Sequence, residues 1–311
     1  MMNGVFHTAK MGDMIYSLPI VYLRGGTKRY IIKREKESQW LKRLFEAQPY
    51  IGSVLHAKKA DDNCDIDFTS YQALYKMWLR GNLVFMHAIC AGTRSHHFPM
   101  ELSKITLESE HSQTYAHTVF DLETYKDVPQ WRSENPWLTN IGGLDLKWEP
   151  FDIIVSVSPR YHDYIIHGVS EHDPVRYFDY SCLDGRKYNI GFVGLEEEYE
   201  EWTCRYGVLA QYVECEDALE VAQYISESKL FVGNQTSAKA IAEGLKHPRL
   251  VETCQEYPDA IPMGHTGHLH ISKELVEYYV TSEVKTKKFP EIDPPKNDSG
   301  QKEMVTLDDF F

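Results

Sequence analysis

Apolar positions recur along this chain in two alternating rhythms. Short runs such as Val5-Phe6, Tyr30-Ile31-Ile32, Ile153-Ile154-Val155 and Leu230-Phe231-Val232 read as buried strands. Between them, apolar residues three and four apart read as helices with one buried face. In chain order the pattern predicts a strand at 4–7, then a helix from Met14 to Leu23 in which Pro19 bends the helix or marks its first turn. A strand at 29–33, a helix from Ser38 to Ala47 capped by Ser38, and a strand at 54–57 follow. Next come a helix from Ser70 to Leu79 and a strand at 83–88. Tyr71, Leu74, Tyr75 and Trp78 share one face of the Ser70 helix and read as core. Residues 92–150 show no clear period and read as loop and linker. A second series then starts. It has strands at 152–158 (ended by Pro159-Arg160), 189–193, 208–212, 230–232 and 249–252, with helices at 196–205, 217–226, 238–245 and 271–284.

Strands alternating with helices imply an α/β fold with mostly parallel sheets. Two such series imply two facing Rossmann-like domains, 1–150 and 151–270, with a ligand cleft between them beyond the carboxyl ends of the strands. A C-terminal helix (271–288) and a flexible tail (289–311) complete the expected organisation; Pro290, Pro294, Pro295, Asn297, Ser299 and Gly300 give the tail linker composition.

Composition narrows the function. The net charge of −13 makes the surface as a whole repel nucleic acid, so any polyanion contact must use a local basic patch. Six cysteines without a CxxC pair suit a reduced cytoplasm better than a disulfide framework or a zinc ribbon. No apolar run approaches the length of a membrane span, and the start shows no secretory pattern, so a cytoplasmic protein is expected.

Two loops carry the candidate chemistry. In the first, Leu230 to Val232 feeds Gly233-Asn234-Gln235-Thr236-Ser237 and then a helix that Pro248 stops. Small residues running into a helix start offer unpaired amides and the positive end of the helix dipole to an anion, although an ordinary βαβ crossover reads the same way. The second is Lys10-Met11-Gly12-Asp13-Met14-Ile15-Tyr16-Ser17-Leu18-Pro19. It resembles the Gly-Asp-aliphatic-x-x-Ser/Thr-Leu-Pro loop of the heptosyltransferase-like glycosyltransferases (family nine, GT-B architecture). The resemblance implies Asp13 as general base, with Gly12 turning the backbone and Lys10 on the acceptor side. A helix N-cap is the alternative for Asp13. The 232–242 stretch resembles that family's second signature, Val-Gly-Asn-Asp-Ser-Gly-x-x-His, with Pro248 in register, but has Gln235, Ser237 and Ala240 at the Asp, Gly and His positions. By the same resemblance this loop holds the nucleotide diphosphate of a sugar donor through Gly233, Asn234, Gln235, Thr236 and Ser237; the sequence does not name the sugar, and a UDP-sugar is the first expectation.

Other candidates are single residues. Arg160 and Lys239 suit a leaving diphosphate or a solvated surface equally, and Glu243 or Glu252 could hold ribose hydroxyls. Arg94 sits in a polar loop on the expected acceptor side. His265, His268 and His270 cluster on a Gly-rich loop, but no carboxylate or Cys is spaced to complete a metal site, so no metal and no cofactor beyond the donor is expected.

The last residues, Thr306-Leu307-Asp308-Asp309-Phe310-Phe311, either pack back on the body or bind a partner. They resemble the C-terminal clamp-binding peptides of T-even-like phage replication proteins, which implies a sliding clamp as partner through Leu307, Phe310 and Phe311. A glycosyltransferase so tethered would modify DNA, placing a sugar on 5-hydroxymethylcytosine or a similar base. The alternatives are sugar transfer to lipopolysaccharide or another surface glycan, and a non-catalytic nucleotide-sugar-binding protein.

Overall fold

The computed structural model describes residues 1–7, 10–23, 25–59, 64, 66–68, 135–143, 149–161, 178–252, 262 and 264–282, and these fall into two units. The Ser70 helix, the 83–88 strand, Arg94 and the tail with Leu307, Phe310 and Phe311 lie outside the described residues.

The first unit runs β1 (Val5–His7), α1 (Met11–Leu23), β2 (Tyr30–Ile32), α2 (Glu35–Glu46), β3 (Val54–His56) and β4 (Ile66–Phe68). Its four described strands pair in parallel in the order β3-β2-β1-β4. β1 and β2 are buried along their whole length, as strands covered on both faces must be. α2 packs Leu41, Leu44 and Phe45 inward.

Two helix starts differ from the sequence expectation, each for a local reason. α2 starts at Glu35, and Ser38 is buried within it instead of capping it. Glu35 and Glu37 supply first-turn negative charge to the dipole, and Arg34 Nη1 bonds Glu37 Oε1 at 3.1 Å. α1 starts at Met11 because the Asp13 carboxylate accepts the Lys10 N–H at 3.3 Å, which lets the helix form one turn earlier. Gly12 therefore lies inside the first helical turn and does not make the sharp bend expected of it. Pro19 lies inside α1 and cannot donate to the Ile15 carbonyl. Beside this break, Ser17 Oγ donates to the Met14 carbonyl at 2.7 Å and stands 2.6 Å from Tyr30 Oη, both residues being buried.

The second unit runs β5 (Ile153–Ser156), β6 (Ile190–Phe192), α3 (Glu196–Tyr206), β7 (Gln211–Tyr212), α4 (Ala218–Glu227), β8 (Leu230–Gly233), α5 (Ser237–Gly244), β9 (Arg249–Val251), β10 (Gly267–His268) and α6 (Lys273–Thr281). All pairings are parallel, in the order β10-β9-β8-β5-β6-β7. Counted from β5 this is the 3-2-1-4-5-6 order of a doubly wound sheet, whose topological switch point lies between β5 and β8. β4 and β10 were not expected from the sequence; β4 is three residues long and β10 two, too short for alternation to show.

Helix starts in this unit follow the sequence closely. Asp217 accepts the Leu219 and Glu220 N–H groups, Thr236 accepts the Lys239 N–H, and Ser272 accepts the Leu275 N–H. Gly207, at φ 65°, ends α3. Ile153, Val155, Ile190, Phe192, Leu230, Val232 and Leu250 form the sheet's share of the core, against Tyr180, Trp202 and Val276. Residues 135–143 hold no regular element but lie on α4 and α5. The Trp137 and Leu138 N–H groups both donate to the Gly244 carbonyl, and Gln223 Nε2 donates to the Ile141 carbonyl at 2.7 Å. Among the described residues, no helix is long and apolar enough to cross a membrane.

Gly233 ends β8 facing β5 so closely that a Cβ there would overlap the Ser156 carbonyl oxygen. Gly233→Ala is expected to cost about 2–3 kcal/mol of stability by forcing the central strands apart. Urea unfolding checks this, and an unchanged midpoint would rule out the close approach.

Candidate functional site

Both candidate loops sit where a strand order reverses, each in its own unit. In the first unit, Asp13 follows the carboxyl end of β1, which lies between β2 and β4. It occupies the third position of α1, half-buried, with Oδ2 on the Lys10 N–H. Its carboxylate thus bonds back to the Lys10 N–H from the first turn, so it is not the N-cap itself, and it lies at the positive end of the helix. Lys10 is exposed.

In the second unit the carboxyl ends of β5 and β8 make the switch point, the place where a doubly wound sheet carries its ligand crevice. The β8 side supplies Gly233, Asn234, Gln235, Thr236 and Ser237, and the β5 side Ser156, Ser158 and Arg160. Ser156 Oγ donates to Thr236 Oγ1 at 3.1 Å, joining the two sides at the mouth of α5. Arg160 stands exposed in a one-turn 3-10 helix directly after β5, its guanidinium 4.7 Å from the Tyr161 ring centre. The sheet order places Arg160 and the β8 loop at the same switch point.

Asn234 is placed differently from its neighbours. It is fully buried, and its amide is bonded on both sides to the main chain of Ser158. Lys239, expected at a phosphate, is 1% exposed in the first turn of α5, and its charge acts on Glu243 one turn further on.

Glu243 has both carboxylate oxygens engaged within the protein: Oε1 with Lys246 Nζ and Oε2 with Arg249 Nε, each at 2.7 Å. It sits at the far end of α5 from the crevice, and this geometry ties it to the helix end and β9 instead of a ribose. Burial pushes its carboxyl up, but Arg249 first, then Lys246 and Lys239, hold it well below the usual carboxylate range. Arg249 Nη1 also donates to the His247 carbonyl and to Thr266 Oγ1. Lys246 Nζ lies 4.9 Å from the Trp137 ring centre.

Glu252, the other ribose candidate, follows β9 beside the crevice. It is buried and accepts the Tyr180 hydroxyl on Oε2 at 2.9 Å. Tyr180 has no local sequence signal, since it comes from a short turn before β6 that carries no period. Ser156 and Ser158 do have one: an apolar strand that turns polar at alternate positions just before Pro159. In the histidine group, His268 Nε2 is 2.7 Å from Tyr279 Oη, and burial, then the His270 and Arg249 charges, push its pKa down. His265 and His270 are exposed.

No protein-family model matches this chain, and no curated protein matches it either. Solved structures do show likenesses. With "Structure of E. coli ADP-heptose lps heptosyltransferase II" the TM-score is 0.47 at 12% identity, over 90% of this chain and 95% of that one. With "E. coli heptosyltransferase WaaC with ADP-2-deoxy-2-fluoro heptose" it is 0.42 at 11% identity, over 90% and 96%. A putative UDP-N-acetylglucosamine 2-epimerase from Listeria monocytogenes gives 0.43 at 12%, over 96% and 93%. The α/β fold described above rests on the strand orders and not on these scores.

His247 is a direct consequence of the buried cluster. Burial first, then the Arg249 charge, push its pKa down to about 3. The folded protein thus keeps it neutral where the unfolded chain, near the ordinary value of about 6.5, takes a proton. Its contribution to stability is complete above about pH 6.5 and is lost as pH falls toward 3, amounting to about 2 kcal/mol by pH 5. His247→Gln is expected to shrink the loss of denaturation midpoint between pH 7 and pH 5; equal losses in both proteins would show that His247 protonates freely in the fold.

Proposed function

We propose that this chain is an inverting, nucleotide-sugar-dependent glycosyltransferase. The observation that carries the reading is the switch point of the second sheet, where Arg160 and the Thr236-capped start of α5 flank one crevice. A doubly wound sheet binds ligands there, and a helix start and an Arg are both suited to phosphate. The two short motifs of the sequence fall at the corresponding ends of the two sheets, which supports reading them as donor and acceptor sides.

In this proposal the donor diphosphate lies at the start of α5, beside Gln235, Thr236 and Ser237, with Arg160 opposite and Gly233 letting the two strands close beneath it. Lys239 adds positive charge beneath the helix start, and Glu252 beside the crevice takes the ribose hydroxyls. The acceptor hydroxyl, oriented from the Lys10 and Arg94 side, attacks the anomeric carbon. Its oxygen forms the new glycosidic bond while the bond from that carbon to the diphosphate oxygen breaks. Asp13 takes the acceptor proton, and the helix amides and Arg160 stabilise the leaving diphosphate. One displacement with one base inverts the configuration. The donor is a substrate, a UDP-sugar in the first instance, and the reaction calls on no cofactor and no metal.

The acceptor we propose is a hydroxymethylated base in DNA, a reading supported by the tail residues Leu307, Phe310 and Phe311 as a clamp-binding peptide and by nothing in the described fold. A lipopolysaccharide or other surface-glycan hydroxyl is the competing acceptor, and it fits the same donor crevice and base. The cytoplasm, of an infected host if the chain is a phage protein, suits the DNA reading.

Asp13→Asn is expected to lower sugar transfer by about a hundredfold or more while nucleotide binding stays unchanged. Transfer at the wild-type rate in that variant would remove Asp13 as the base. Mass spectrometry of hydroxymethylated DNA and of lipopolysaccharide, each incubated with mixed nucleotide sugars, separates the acceptors. A sugar added to the glycan alone sinks the DNA reading, and hydrolysis or binding without transfer to either favours the non-catalytic alternative.

A further inference from the structure

We infer that Asn234 is a positioning residue: its amide locks the β5 loop to the β8 loop, so that Arg160 and the start of α5 meet one diphosphate group in fixed register. This rests on the nucleotide-sugar reading above.

The backbone pairing of β5 with β8 ends at Ser156 and Gly233, and the Asn234 N–H adds one bond to the Ser156 carbonyl at 3.2 Å. Beyond that point the two chains have different destinations. β8 must leave the sheet within three residues to reach Thr236 and α5, while β5 runs on through Ser158 to the turn that carries Arg160. No backbone rung can span that divergence. The Asn234 side chain replaces it: Oδ1 accepts the Ser158 N–H at 2.9 Å, and Nδ2 donates to the Ser158 carbonyl at 2.9 Å. A carboxamide offers the donor and acceptor of a peptide group on a short stem. Asp keeps the size but presents only acceptors, Ser and Ala are too short, and Gln is one methylene too long for the same reach. With 0% exposure and both amide atoms committed to Ser158, the Asn234 side chain does not face the crevice. It acts on the ligand through the residues on either side of it. Holding both loops before the ligand arrives removes an ordering cost from binding, and that gain is lost when the clamp is cut.

The test is a double-mutant cycle on binding of UDP and ADP, read by titration calorimetry on the full chain. Asn234→Ala is expected to weaken binding about tenfold and Asn234→Asp by about threefold or more, with Arg160→Ala weakening it in the wild-type background. Added to Asn234→Ala, Arg160→Ala should cost less than about twofold, because the unclamped loop no longer holds Arg160 at the crevice. A uniformly loosened fold would leave the two effects additive. If Asn234→Ala does not fold, Asn234→Asp takes its place in the same cycle. Binding by a folded Asn234 variant as tight as wild type, or an equal cost of Arg160→Ala in both backgrounds, overturns the inference while leaving the functional reading intact. Wild-type protein that binds neither nucleotide overturns that reading and, with it, this one.

Discussion

The second unit depends on one strand contact, the parallel pairing of Ile153–Ser156 with Leu230–Gly233 at the centre of its sheet. Both strands are buried along their length, so the pairing excludes water and every polar group at its end must find a partner inside the protein. Three features follow from that single demand. Gly233 is the residue whose missing Cβ allows the strands to close. Asn234 supplies the bonds that the diverging backbones cannot make to each other. The Ser156 and Thr236 hydroxyls pair at the crevice mouth, joining the end of one strand to the cap of the next helix. The chemistry proposed for this crevice therefore sits on atoms that the sheet itself has to fix.

α5 is constrained at its other end by a different means. The helix finishes in a Schellman arrangement, the His247 N–H reaching the Ala242 carbonyl and the Lys246 N–H reaching that of Glu243. The left-handed position in such an end usually falls to glycine, but here it is Lys246 at φ 55°. A non-glycine residue there costs about 1 kcal/mol. The side chain accounts for its presence: its ammonium group reaches Glu243 and lies over Trp137, which a glycine could not do. Trp137 in turn brings residues 135–143 down on α4 and α5, and Gly244 is small enough for Trp137 and Leu138 to sit against it. This short helix is thus held at its far end by ions, a ring and the irregular segment 135–143.

The sequence made the periodic parts legible and left the non-local parts hidden. Buried parallel strands announce themselves as apolar runs, and the Asp217, Thr236 and Ser272 caps lie next to the helices they start. Ser38 shows the limit of that rule, since first-turn acids outweighed a nearby hydroxyl as the start signal. Glu243 looked free for a ligand because Arg249 and Lys246 approach it only once the helix and β9 have folded back. Asn234 reads like any polar loop residue, and its partner is 76 positions away. Charge and composition say nothing about either pairing.

α1 poses the opposite problem from α5, because its break is written into the sequence. Pro19 removes a hydrogen bond from the middle of the helix, and the damage has to be contained if Asp13, six residues earlier, is to keep a defined position. The Ser17 and Tyr30 hydroxyls meet over the Met14 carbonyl, anchoring the turn before the proline to the core of the sheet. The Ser-Leu-Pro part of the motif is mechanical: the proline removes one helix bond, and the serine ties the turn before it to the sheet. The base role proposed for Asp13 calls for such a mount, because a rotating helix end would spread its carboxylate over a wide arc. The two units thus solve one problem by different means, side-chain amide and buried ions in one, a hydroxyl pair beside a proline in the other.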